Sequence, residues 1–247
     1  MQANKPPSAL PDAAGSKPQP IASALHLAGF LAIGIAVAGL GFLAQHAQSG
    51  APAGQLASHG VALQVYLSAI VLDWALFYYC WIGVHRGGGS LWSLSGGRWT
   101  GWKSVGVDIA VVIPFWGIWE GAAYGVARLL GPSTAKTVDN LLPHSLVEVL
   151  LWIATCATAG ICEEMVFRGY LQRQFHAFGG VVFAVLGQGV VFGILHGYQG
   201  WRNVVVISVL GILYGLLAQW RGNLRANIIS HAWSDFWEGW LKFLIFR

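Results

Sequence analysis

Apolar residues fall in seven runs, at approximately 21–44, 61–84, 105–130, 146–175, 180–197, 203–220 and 224–245. Polar and turn-forming residues separate them: Ser49-Gly50-Ala51-Pro52, Arg86 with Gly87-Gly88-Gly89, Gly131-Pro132 with Pro143, Gly179-Gly180, Gln199-Gly200 and Arg221-Gly222-Asn223. A helix needs about 20 apolar residues to cross a bilayer, and most of these runs reach or approach that length. The pattern predicts an all-α chain: a polytopic transmembrane bundle of about seven helices over 21–247. Residues 1–20, rich in Pro, Ala, Ser and Gln with Lys5 and Lys17, read as a disordered N-terminal tail. The run at 21–44 is too long for a signal-peptide core and reads as a span.

Finer periodicities suggest how the helices face one another. Glycines recur every fourth residue at Gly117/Gly121/Gly125, Gly189/Gly193/Gly197 and Gly211/Gly215. Such spacing lets helix backbones approach closely in lipid. In the last run, Asn227, His231, Asp235 and Glu238 share one helical face, and Trp233, Trp237 and Trp240 lie roughly opposite. That predicts a polar stripe turned into the bundle and an aromatic stripe turned to lipid.

Composition agrees. Hydrophobic residues make up 55% and charged residues 10% of the chain, whereas soluble domains carry about 25% charged residues. The net charge of +4 does not signal nucleic-acid binding, because the cations lie between apolar runs and form no basic stripe. With the N-terminus cytoplasmic, the inside segments hold Lys5, Lys17, Arg86, Arg98, Lys103, Arg168, Arg173, Arg221 and Arg225. The outside loops hold Arg128, Lys136 and Arg202, with Lys242 and Arg247 at the outside C-terminal end. That bias favours the N-in orientation. Cys80, Cys156 and Cys162 have no metal-type spacing and read as buried small hydrophobes.

The chemistry is concentrated where polarity is most costly. Glu163, Glu164 and Arg168 directly follow an apolar stretch, and two later runs each carry a histidine, His196 and His231. Glu164 and Arg168 have the i,i+4 spacing of a helical ion pair. Adjacent Glu163 points about 100° away and has no local partner; a desolvated, unpaired carboxylate suits general acid–base work near neutral pH. If the chain reverses at Gly179-Gly180, Glu163 and His196 both lie about 24 Å from the turn, at matching depth. Asp235, one turn from His231, is placed to orient the imidazole or hold a water. A carboxylate with two imidazoles supports two routes. In one, Glu163 activates water and the histidines polarise the scissile carbonyl; in the other, His196, His231 and a carboxylate bind a metal that activates it. No His-Glu-x-x-His motif is present. Both routes end in hydrolysis.

Glu163-Glu164-x-x-x-Arg168, Phe192-x-x-x-His196 and His231-x-x-x-Asp235 resemble the three motifs of the CAAX prenyl protease type II and bacteriocin-processing (CPBP, Abi) family of intramembrane proteases. Phe167-Arg168-Gly169-Tyr170-Leu171 and Gly211-Ile212-Leu213-Tyr214-Gly215 agree with it, and the resemblance covers a protease-like core at about 146–240. It implies that Glu163 activates water with help from His196, and that His231 and Asp235 form the oxyanion side. Glu164 and Arg168, and on the same polar face Asn227, support them. The family's third motif most often ends in Asn, from which Asp235 departs. The favoured reading requires no cofactor; a metal-dependent variant would hold zinc on Glu163, His196 and His231.

The expected partners are a peptide or membrane-protein substrate and the lipid bilayer, with no nucleic acid. The short tail and lack of sorting signals point to a bacterial-type protein of the inner (cell) membrane. Two other readings compete: a non-proteolytic scaffold or immunity protein on the same fold, and a proton-coupled transporter using Asp73, Asp108, Glu120 and Glu148.

Overall fold

The computed structural model describes residues 18–48, 59–97, 99–131, 142–143, 145–237, 239 and 244. Most of the expected N-terminal tail, the Ser49–Pro52 separator, Glu238, Trp240 and most of the last run beyond 237 lie outside the described residues. The described chain is helical, with no strand among its described residues. Its elements are α1 (Ala24–Gln48), α2 (His59–Arg86), α3 (Leu91–Ser95), α4 (Trp102–Leu130) and α5 (Leu146–Glu163). A π-helix (Glu164–Leu171) leads into α6 (Gln172–Leu195), a 3₁₀ turn (Gly197–Gln199), α7 (Trp201–Arg221) and α8 (Arg225–Phe236).

Five stretches are long and apolar enough to cross a membrane, one of them the continuous 50-residue segment Leu146–Leu195. That segment contains two of the seven expected spans. It breaks at Gly180, whose φ of 76° and ψ of −178° are not helical. A straight helix would hold Phe167 and Phe192 about 37 Å apart, yet their ring centroids are 4.8 Å apart. The chain therefore doubles back at the predicted glycine pair. The last run is described as a helix over Arg225–Phe236, which turns Asn227, Ser230, His231 and Ser234 inward.

Burial is inverted relative to a water-soluble protein. Leu25, Leu129 and Ile35 are 84%, 86% and 74% exposed, while Asp108, Glu164 and Asn227 are each 0% exposed. Apolar side chains outside and polar groups inside are what a lipid solvent selects. The cysteines are buried free thiols, as expected.

Only some of the glycine series serve as close contacts. A Cβ on Gly211 would lie 2.8 Å from the Gly189 Cα, and one on Gly193 would lie 2.5 Å from the Val204 carbonyl oxygen, so α6 and α7 touch backbone to backbone. The Gly117/Gly121/Gly125 series meets nothing within 4 Å, which corrects the expectation that it packs a neighbouring helix. The sequence reading missed Gly160, where a Cβ would fall 2.8 Å from the Ile228 carbonyl and 2.9 Å from Ala232. That contact lays α5 against α8. Gly211→Val is expected to destabilise the protein by about 1–3 kcal/mol through overpacking, whereas Gly121→Ala leaves it unchanged. Thermal unfolding of the two variants in detergent checks this.

Two further features frame the site. α2 runs parallel to α5 and the π-helix: Tyr66 packs on Trp152 at 5.5 Å, and Cys80 and Val84 enter the cluster around Met165 and Tyr170. α1 is tied at its start by Gln174, whose Oε1 accepts from the Ile21 and Ala22 amides at 2.8 and 3.2 Å. Farther along, α1 lies beside Leu195 and Tyr198.

Candidate active site

The centre of the site is a buried ion pair made by one helix on itself. Glu164 Oε1 accepts from Arg168 Nη1 at 2.8 Å, and both side chains are 0% exposed. The pair forms at the i,i+4 spacing read from the sequence, within the π-helix; π-segments are frequent at functional sites. Arg168 Nη2 donates to the Gly211 carbonyl at 3.1 Å, and its guanidinium carbon sits 4.6 Å from the Phe192 ring centroid and 5.2 Å from that of Tyr214. The α6–α7 glycine crossing thus places a backbone acceptor where the arginine needs one.

α8 supplies the other half. Asn227 Nδ2 donates to Glu164 Oε2 at 3.1 Å and to the Tyr214 carbonyl at 2.8 Å. His231 Nδ1 donates to Glu164 Oε1 at 2.8 Å, and its ring stacks on Tyr214 at 5.2 Å. With Nδ1–H committed to a carboxylate, the ring orientation is fixed and Nε2 is turned to the remaining acids. It lies 3.6 Å from Glu163 Oε2 and 3.7 Å from Asp235 Oδ2. Both separations exceed a direct hydrogen bond and suit a bridging water.

The expectations for this group are met unevenly. Glu163, Glu164, Arg168, Asn227, His231 and Asp235 converge, and the two adjacent glutamates take different surroundings. Glu164 is wholly enclosed, whereas the Glu163 side chain keeps 18% of its surface exposed. Glu164 holds His231 at Nδ1, and Asp235, expected to orient the imidazole or hold a water, faces the opposite ring nitrogen. His196 Nδ1 donates to the Phe192 carbonyl at 2.8 Å, leaving Nε2 as a lone-pair acceptor. It reaches the group through Phe192, whose ring is 4.8 Å from His196 and 6.0 Å from His231, with no hydrogen bond to Glu163 among the described residues. Trp237, expected to face lipid, packs on Trp116 of α4 at 5.0 Å, while Trp233 is 39% exposed.

One acid reaches the site that no local motif announces. Asp73 of α2 lies between Tyr66 and Cys80, as Glu163 lies between their α5 and π-helix neighbours Trp152 and Tyr170. Its strongest charge interactions are with Glu163, His231 and Asp235. Only the helix pairing brings it there. Asp108, read alongside it, has a different role: it is a buried clamp accepting from Trp99 Nε1 at 2.8 Å, Arg221 Nη2 at 2.7 Å and Arg225 Nε at 2.9 Å. It fastens α4 to the α7–α8 turn.

The donors Glu163, His196 Nε2 and His231 Nε2 are of the type that binds zinc, and both histidines have the second nitrogen anchored as metal-bound histidines do. Among the described residues, however, no three His, Cys, Asp or Glu side chains gather closely enough to hold one ion.

These features define a class: a multi-pass membrane bundle built around a buried carboxylate–imidazole centre. Residues 145–237 match the family model described as Type II CAAX prenyl endopeptidase Rce1-like. This C-terminal segment, which carries all three motifs, is similar to that family, while α1 to α4 lie outside the match. No curated protein and no solved structure matches the chain.

Proposed function

We propose that the protein is an intramembrane endopeptidase that hydrolyses a peptide bond with a water activated by Glu163. The observation that carries this is the division of labour between adjacent glutamates. Glu164 is neutralised by Arg168 and holds His231 by Nδ1, whereas Glu163 meets no arginine or lysine among the described residues and faces His231 Nε2 across 3.6 Å. A water in that gap gives one proton to Glu163 as its oxygen bonds to the scissile carbonyl carbon. The resulting oxyanion is met by His231 Nε2–H, whose positive charge Glu164 supports, while His196, with Nε2 as an acceptor, helps to orient the attacking water. As the C–N bond breaks, the proton held by Glu163 passes to the leaving amine. Asp235 holds the water's second hydrogen or the Nε2 proton; a carboxylate there is an acceptor, so it does not bind the oxyanion itself.

A metal-dependent variant would use Glu163, His196 and His231 as ligands and would supply an activated hydroxide. The substrate is a peptide or membrane protein that reaches the site from the bilayer. The Lys and Arg distribution supports a cytoplasmic N-terminus. A scaffold on the same fold remains the second reading, since α1 to α4 lie outside the matched segment.

The test is cleavage of prenylated and unprenylated Cys-containing peptides by the full chain in liposomes. His231→Ala is expected to abolish cleavage, and a chelator to leave the wild type active. Chelator loss reversed by zinc would replace the metal-free route. A wild type that cleaves none of the peptides yet binds them would favour the scaffold.

A further inference from the structure

A second polar site lies at the end of the bundle where α6 begins and α7 turns into α8. A cleft, part of it open to the surrounding medium, is lined by Arg168, Gln172, Arg173, His176, Gln219 and Asn223, with no carboxylate among the described residues that line it. Arg173 spends both Nη groups on backbone carbonyls, those of Ser93 and Leu94. Among the described residues no acid pairs with it, so its charge has no counter-ion. Arg168 and Gln172, which line the same cleft, each hold a buried polar atom with no hydrogen-bond partner, the Arg168 Nε–H and the Gln172 Oε1. Buried polar groups are seldom left unpaired, and each such group calls for an explanation.

The surroundings close the cleft. Arg221 and Arg225 are both held by the carboxylate of Asp108. Leu224 donates its amide to the Ser95 carbonyl at 2.9 Å, so the loop after α2 and the α7–α8 turn close around the cleft as one unit.

The structure assigns this cleft as a binding site for a phosphate-bearing anion, of the phosphomonoester type. A guanidinium suits phosphate oxygens through directed, charge-assisted hydrogen bonds, and Arg173 with Arg168 Nε–H offers them. Gln172 Oε1, an acceptor, takes the hydroxyl of a singly protonated phosphate, which a sulfate or a carboxylate anion lacks. The source is either a lipid headgroup, as in phosphatidic acid, or free hydrogen phosphate. The site is separate from the proposed reaction centre, but Arg168 touches both: its Nη1 holds Glu164.

The full chain is reconstituted in phosphatidylcholine nanodiscs, alone or with phosphatidic acid, and separately titrated with inorganic phosphate. Retained lipid is read by native mass spectrometry and stability by thermal unfolding. The wild type should retain phosphatidic acid about tenfold over phosphatidylcholine, or be stabilised by inorganic phosphate, and Gln219→Glu should lose that preference about tenfold. Gln219→Glu sets a carboxylate in the cleft at nearly constant shape and leaves the Arg173 bonds in place, so its stability without phosphate stays at the wild-type level. Arg173→Gln should lose the preference too. Preference for phosphatidic acid alone identifies the lipid as the source, and stabilisation by inorganic phosphate alone identifies the free ion. No preference for either, or a preference undiminished in Gln219→Glu, overturns the assignment.

Discussion

Glu163→Gln is expected to lower peptide cleavage about 10²–10⁴-fold, the range general-base removal produces, while leaving the protein as stable as wild type. The reason is geometric. Glu163 makes no direct hydrogen bond to His231, which it faces at 3.6 Å, so removing its charge breaks no contact that holds helices together. Glutamine keeps the size and one acceptor oxygen but is far too weak a base to take a proton from water. Turnover of a fluorogenic peptide and thermal unfolding, measured on the same preparation, separate the two effects. Cleavage within a few-fold of wild type would remove Glu163 from the role of base, whatever the variant's stability.

Arg168→Ala should fail differently, by losing structure and activity together. Arg168 is the permanent cation on Glu164, and both are enclosed. Removing one partner of a buried pair typically costs about 3–5 kcal/mol, because the other charge stays uncompensated. Here the stranded carboxylate also holds Asn227 and His231, so α8 would lose its register against the π-helix. Pairing Arg168→Met with Glu164→Gln removes both charges and should recover part of the stability, since a neutral group no longer demands a counter-ion. It should not recover cleavage, because the His231 imidazolium would lack its support. Equal stability for Arg168→Ala and the double variant would show that the pair is not the fold's electrostatic core.

Most of the local architecture was legible in the sequence. The runs of apolar residues mark the helices because lipid requires every backbone group to be paired within the segment, which leaves helix as the answer for each. The Glu164–Arg168 pair was legible because i,i+4 contact is a property of one helix. The reversal at Gly180 was legible too, because positive φ is readily reached only without a Cβ. Matching depths for Glu163 and His196 followed from helical rise alone, and the Phe167–Phe192 contact agrees with that hairpin.

Relations between helices were not legible in the same way. The Gly117 series and the Gly189 and Gly211 series look alike as strings, yet only the latter two meet a neighbouring backbone. Asp73 and Asp108 read as similar acids within spans, yet one joins the proposed reaction centre and the other clamps α4 to two arginines. Asp235 has the spacing to orient His231, but Glu164 occupies the Nδ1 side first.

The sequence by itself determined the number and nature of the apolar segments, the acids and imidazoles they carry, and which of these pair along one helix. Helical rise and rotation follow from backbone hydrogen bonding between near neighbours, so a single segment already contains that information. The tertiary structure alone decided which nitrogen of His231 meets which glutamate, which glycines touch, and that Asp73 and Arg173 stand at two different polar sites. Those outcomes depend on how separate helices rotate and slide against each other, a choice made by the packing of all of them at once.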